Sequence, residues 1–200
     1  MKRIILDIDD TLNNLSLDLL RFDGLNFASY DDIPDWPWGY DIISAIAELK
    51  GEEPMGLVEY WQRLPRSLWA TTTLAPDFDA ILSFCDDKVG LGNVLIASSP
   101  TKCPECLAGK YEWMMSEMPR ELHRQWSITP RKWEYGRDKH AVLIDDVWGN
   151  CQKFHTGDPE DNYAARGRSL LVPRPWNHLR GTNIMEALNT QWDYHGQYPV

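Results

Sequence analysis

The chain has little cysteine, a minority of positive charge and no long apolar run. Its four cysteines, Cys85, Cys103, Cys106 and Cys151, are too few and too unevenly spread to staple 200 residues. A disulfide scaffold is therefore excluded, and a reducing, cytoplasmic setting is expected. Lys and Arg number 20 against 30 Asp and Glu, a formal net charge of −10. Adhesion to duplex nucleic acid or to an anionic membrane is driven by displacing counterions with Lys and Arg, so neither partner is expected. No apolar run approaches the roughly 20 residues of a membrane span, and the run after Lys2-Arg3 is broken at Asp7, which argues against a signal peptide. Internal repeats and low-complexity tracts are also missing. What remains is a soluble protein acting on a small ligand. An anionic ligand would need local cations or a metal ion to overcome the acidic field.

Hydrophobic residues make up 43% of the chain, enough for one α/β domain with an insertion. Five aliphatic segments read as buried parallel strands: Arg3 to Ile8, Asn93 to Ser98, Trp126 to Thr129, Ala141 to Ile144 and Ser169 to Val172. Helix-compatible sequence separates them, so a doubly wound parallel sheet is expected. More than eighty residues part the first two segments, far beyond the dozen or so of a simple crossover. Helical patterning at Tyr40 to Lys50 and Met55 to Leu64, on either side of turn-rich sequence, makes residues 14–75 a small helical cap; 1–13 and 76–200 form the core. Asp77 to Asp87 reads as the returning crossover helix, Glu105 to Met118 as the next, and Asn183 to Asn189 as a short one.

The chemistry lies at the strand ends. Ile4-Ile5-Leu6 runs into Asp7-Ile8-Asp9-Asp10-Thr11. Two carboxylates this close repel unless a cation lies beside them, and a hard oxygen-seeking ion such as Mg²⁺ fits. The plainer alternative is a turn in which Asp and Thr cap backbone amides. Val94-Leu95-Ile96-Ala97 ends in Ser98-Ser99, whose hydroxyl and amides can meet a phosphate oxygen. Val142-Leu143-Ile144 closes on Asp145-Asp146. On parallel strands these acids share one sheet edge, where a metal makes the crowding tolerable.

In this order the segments resemble the haloacid dehalogenase superfamily of phosphohydrolases: Asp7, Asp9 and Thr11 match its first motif, Ser98 its second and Asp145-Asp146 its fourth. For the lone lysine of the third, Lys110 is preferred to Lys102, Lys132 and Lys139. Ala97-Ser98-Ser99-Pro100, Lys110-Tyr111-Glu112-Trp113, Asp138 to Asp146 and Val172-Pro173-Arg174-Pro175-Trp176-Asn177 are similar to the 5'(3')-deoxyribonucleotidase branch. Asp10 stands where many relatives carry Gly. The resemblance implies a Rossmann-like core and a Mg²⁺-dependent phosphomonoesterase in which Asp7 attacks phosphorus to form an aspartyl-phosphate. Asp9 would act as acid and then base, and Thr11 would orient Asp9. Mg²⁺ would be held by Asp7, the Asp9 carbonyl and Asp146, with Asp145 behind them or as a further ligand. Ser98, Ser99 and Lys110 would bind phosphate oxygens.

The substrate implied is a nucleoside monophosphate, deoxyribonucleotides foremost. Cap aromatics Trp36, Trp38, Tyr40, Tyr60, Trp61 and Trp69 are candidates to stack on its base, against the alternative that they pack the cap on itself. Cys103-Pro104-Glu105-Cys106, with Cys151 and His155, can be read as a zinc site; the favoured reading is two solvent-side thiols near the site. Another small phosphate ester, a nucleic-acid terminus and a non-catalytic scaffold with the same fold are the competing readings. A homodimer is compatible with the sequence but has no signal in it.

Overall fold

The structure is a computed structural model describing residues 2–33, 35–158 and 165–196. Five strands, β1 (Arg3–Leu6), β2 (Val94–Ser98), β3 (Trp126–Ile128), β4 (Ala141–Asp145) and β5 (Arg168–Leu171), form one all-parallel sheet in the order β3-β2-β1-β4-β5. The helices are α1 (Leu15–Phe22), α2 (Ile42–Lys50), α3 (Leu57–Gln62), α4 (Arg66–Ala70), α5 (Phe78–Val89), α6 (Pro104–Glu117), α7 (Trp148–Thr156) and α8 (Ile184–Gly196). Among them no helix is long and apolar enough to cross a membrane.

Side-chain alternation sorts the sheet into two apolar faces. Ile4, Leu6, Val94, Ile96, Val142, Ile144 and Leu170 share one cluster with Phe78, Ile81 and Phe84 of α5, Trp113 and Met114 of α6, and Leu188 of α8. Ile5, Leu95, Ala97 and Leu143 face the other way, against Phe154 of α7. With helices on both faces, the α/β fold is doubly wound. From β1 the chain steps to β2 and β3, then returns to place β4 on the opposite side of β1. The connections leaving β1 and β4 therefore diverge, opening a crevice at their carboxyl ends.

The long segment between β1 and β2 carries α1 to α4. Leu15, Leu19, Leu20, Ile33, Trp36, Ile42, Ile46, Tyr60, Leu64 and Trp69 form its own apolar cluster, closed by Cys103 and Cys106 from the start of α6. Its two ends are stitched together: Asn14 N–H donates to the Thr73 carbonyl (2.9 Å) and Ala75 N–H to the Leu12 carbonyl (3.0 Å). Helix α2 starts where Asp41 caps the Ser44 amide (3.1 Å) and stops at Gly51, whose φ of 67° is left-handed.

Local patterns place these elements, with instructive exceptions. Helix α1 escapes periodicity because Leu15, Leu17 and Leu19 alternate with a strand's period of two, while Leu20 and Ser16 are also buried. At five residues, α4 is too short to show a helical period. Helix α8 extends well beyond the short helix expected. Helices α4 and α6 meet so closely that a Cβ on Gly109 would lie 2.3 Å from Trp69 Cβ and 2.7 Å from the Arg66 carbonyl oxygen. Gly109→Ala is therefore expected to lower stability by about 1–3 kcal/mol, the usual effect of overpacking. A urea titration checks this, and an unchanged midpoint would show that α4 can back away.

Candidate active site

The turn after β1 is built on one carbonyl. The amides of Thr11, Leu12 and Asn13 all donate to the Ile8 oxygen (3.2, 2.8 and 3.2 Å), curling the chain at the sheet edge. Asp10 takes the left-handed conformation this requires, at φ 56°. Asp tolerates that region better than most residues, and here its carboxylate is also held, by the Ser16 amide (2.8 Å), the Ser16 hydroxyl (2.6 Å) and the Tyr30 hydroxyl (2.7 Å). Burial outweighs those bonds and pushes the Asp10 pKa up to about 6. Arg174 clasps the turn from the C-terminal side, donating to the Asp10 carbonyl and to that of Thr11 (3.3 Å).

Two lysines divide the acids between them. Lys110, on the buried face of α6, donates to Asp9 Oδ2, to Ser98 Oγ (2.8 Å) and to the Ser99 carbonyl (2.6 Å), which occupies all three of its protons. Lys132, just beyond β3, reaches Asp7 Oδ1 (2.7 Å) and Asp145 Oδ2 (2.8 Å). Burial alone would lower the Lys132 pKa, but the charges of Asp145 and Asp7 overcome it and hold the ammonium protonated. Sequence pattern favours Lys110 over Lys132, yet both enter the site. The signal for Lys132 is position: it follows β3, so its loop opens on the edge that carries the acids.

Asp7, Asp145 and Asp146 bring one ligand oxygen each within 4.8 Å of one another, and among the described residues they are the group of His, Cys, Asp or Glu able to share an ion. Asp145 accepts from the Val147 amide (2.9 Å), from Asn150 (3.1 and 3.2 Å) and from Lys132, so its lone pairs are engaged by protein donors. Asp7 and Asp146 keep more capacity. Burial, with the charges of Asp145, Asp10 and Asp7, drives the Asp146 pKa well above the usual carboxylate range. Fully ionised, the five buried carboxylates (Asp7, Asp9, Asp10, Asp145, Asp146) would exceed the three buried cations (Lys110, Lys132, Arg174) by two negative charges. A divalent cation balances that excess, and an all-oxygen donor set fits a hard ion such as Mg²⁺.

Thr11 and Ser99 make contacts of their own within the protein. The Thr11 hydroxyl donates to Asp146 Oδ1 (3.3 Å), not to Asp9, because the turn aims it across the crevice at the end of β4. Asn13 reaches Asp9 instead, at 3.4 Å. Ser99 engages Lys110 through its backbone carbonyl, while its hydroxyl faces the Thr129 carbonyl (3.5 Å).

The cap aromatics separate into two groups. Trp36 is buried, donates to the Gly39 carbonyl (2.7 Å) and packs on Trp176 (ring centroids 5.5 Å), while Trp38 donates to Glu48 (2.6 Å), so both rings are engaged within the protein. Trp61 lies against Trp69, ring centroids 5.9 Å apart. Trp69 borders the site, with Lys110 Nζ 5.6 Å from its ring centroid, and its buried indole nitrogen has no hydrogen-bond partner among the described residues. Tyr40 is 52% exposed. Its ring lies 5.7 Å from that of Trp176, whose indole N–H reaches Asp146, so Tyr40 stands at the rim of the acid cluster.

The solvent-side thiols expected at Cys103 and Cys106 are corrected: both are buried in the cap cluster, where they pack as small apolar side chains. Cys151 is also buried, its thiol facing the Asp145 carbonyl (3.8 Å), and His155 contacts the Gly167 carbonyl (3.1 Å). These four residues form no shared metal site among the described residues.

No family model matches the chain, and no curated protein matches it. Among solved structures it is similar to a HAD family enzyme from Bacteroides thetaiotaomicron, described as a magnesium complex, at 12% identity and a TM-score of 0.40 over 89% of this chain and 96% of that one.

Proposed function

We propose that the protein is a Mg²⁺-dependent phosphomonoesterase of the haloacid dehalogenase type that hydrolyses nucleoside monophosphates, deoxyribonucleotides foremost, with residues 14–75 as the substrate-selecting cap. The observation that carries this reading is the convergence of Asp7, Asp145 and Asp146 within 4.8 Å beside the Asp9–Lys110–Ser98 cluster. Mg²⁺ held by Asp7, the Asp9 carbonyl and Asp146 would neutralise charge between a phosphate and Asp7, which two anions need in order to approach.

An Asp7 carboxylate oxygen attacks phosphorus, the ester P–O bond breaks, and the departing alkoxide takes a proton from Asp9. Asp9 then removes a proton from water, whose oxygen attacks the aspartyl-phosphate. Asp7 is regenerated and inorganic phosphate leaves. Lys110 and Ser98 pair with Asp9 in the free protein and turn to the phosphate oxygens when substrate enters. That exchange frees the Asp9 carboxyl to face the leaving group. Lys132 holds Asp7 and Asp145 in place from behind. The half-exposed Tyr40 ring at the rim is the cap group best placed to meet the nucleoside.

The test is hydrolysis of an aryl phosphate with Mg²⁺ and with EDTA, followed by phosphate release from a panel of monophosphates. Turnover is expected with the metal alone, nucleotides leading the panel. Sugar phosphates outrunning every nucleotide by orders of magnitude would remove the nucleotide assignment. A folded protein with no metal-dependent turnover would favour the non-catalytic scaffold.

A further inference from the structure

The proposed metal ligand Asp146 is held by a side chain from a distant part of the chain. Trp176 Nε1–H donates to Asp146 Oδ2 (2.9 Å), and the neighbouring Asn177 amide donates to the Asp146 carbonyl (2.9 Å) and to that of Val172 (2.8 Å). An indole offers a single donor, so with the Thr11 hydroxyl on Oδ1 this bond on Oδ2 orients the carboxylate and leaves its remaining lone pairs for a cation. The backbone around Trp176 is stiff. Pro173 and Pro175 restrict it, and Arg174 between them is anchored to the turn after β1.

The indole plane, by contrast, is set by the cap. Three aromatic rings from the segment between β1 and β2 surround it: Tyr30 at 5.5 Å between ring centroids, Trp36 at 5.5 Å and Tyr40 at 5.7 Å. Trp36 is tied to Gly39 within the cap, and Tyr30 to Asp10 in the catalytic turn. A shift of these rings must rotate the indole, and rotation takes its N–H away from Asp146.

We infer that Trp176 is a positioning residue that makes metal affinity depend on how the cap is packed. The cap thereby acts on the metal site through Asp146 as well as on the substrate directly. This rests on reading the carboxylate cluster as a metal site, and the experiment separates the two. Isothermal titration of metal-free protein with Mg²⁺ alone, without substrate, compares the wild type with Trp176→Phe, which keeps a ring but loses the N–H. Loss of such an outer hydrogen bond to a metal ligand typically weakens affinity by about 10–100-fold, and that is the expected change. Tyr40→Leu, at a half-exposed position, is expected to weaken Mg²⁺ binding severalfold in the wild-type background and no further in Trp176→Phe. Wild-type affinity in Trp176→Phe, or fully additive effects in the double variant, would overturn the inference. If Trp176→Phe does not fold, unchanged affinity in Tyr40→Leu alone overturns it. A wild type that binds no Mg²⁺ overturns the metal site itself and this inference with it.

Discussion

Asp7→Asn is expected to reduce turnover by about 10⁴-fold or more, since in the proposed mechanism an amide oxygen cannot replace the carboxylate that attacks phosphorus. The same substitution should leave the metal-free fold as stable as the wild type at pH 7, or more so. In the metal-free protein, burial and the charges of Asp145 and Asp9, opposed by Lys132, push the Asp7 pKa up from 3.8 to about 7. A carboxyl that binds its proton more tightly folded than unfolded stabilises the fold below about pH 4. That contribution drains away as pH rises towards about 7. Urea midpoints of metal-free wild type should therefore fall across this window, and saturating Mg²⁺ should restore them by favouring the ionised form. In Asp7→Asn the pH slope should flatten. Near-normal turnover in this variant would refute Asp7 as the nucleophile, and a slope equal to that of the wild type would refute its buried proton.

Lys132→Met is expected to show the largest loss of stability among substitutions in the site. Its side chain is 3% exposed and lies between Asp7 and Asp145. Removing one member of a buried charge cluster leaves the rest uncompensated, at about 3–5 kcal/mol. Here the residue left behind is a pair of facing carboxylates, so Mg²⁺ should recover part of the loss by binding the folded form alone. Activity should fall as well, because Asp7 would be less ionised without the ammonium beside it. Denaturant titrations with EDTA and with excess Mg²⁺ decide the matter. A loss below about 1 kcal/mol, typical of exposed pairs, would show that solvent already screens the site.

Much of this was legible in the chain. Buried parallel strands are continuous aliphatic runs, so all five were found to within about two residues, and the acids and hydroxyls that end three of them stood out against those runs. The helices with a clear period and a stop signal, α2, α5 and α6, were equally visible. Helix α1 was hidden by its alternating leucines and α4 by its length, because a period needs several turns to declare itself. The sequence pattern points to one lysine for the whole site; the structure has two, Lys110 on Asp9 and Lys132 on Asp7 and Asp145.

Runs, breaks and strand order are local and additive, so the residues alone carry the doubly wound sheet, the insertion after the first strand and the sheet edge where Asp7, Ser98, Asp145 and Asp146 lie. The tertiary structure decided which partners meet across that edge: Lys110 with Asp9, Lys132 with Asp7 and Asp145, Thr11 and Trp176 with Asp146, and the cysteines inside the cap cluster rather than at solvent. Thr11 and Asp146 are 135 residues apart. Their meeting depends on the curl of the turn that carries Thr11 and on the register of β1 against β4, a pairing of strands far apart in the chain that no local pattern specifies.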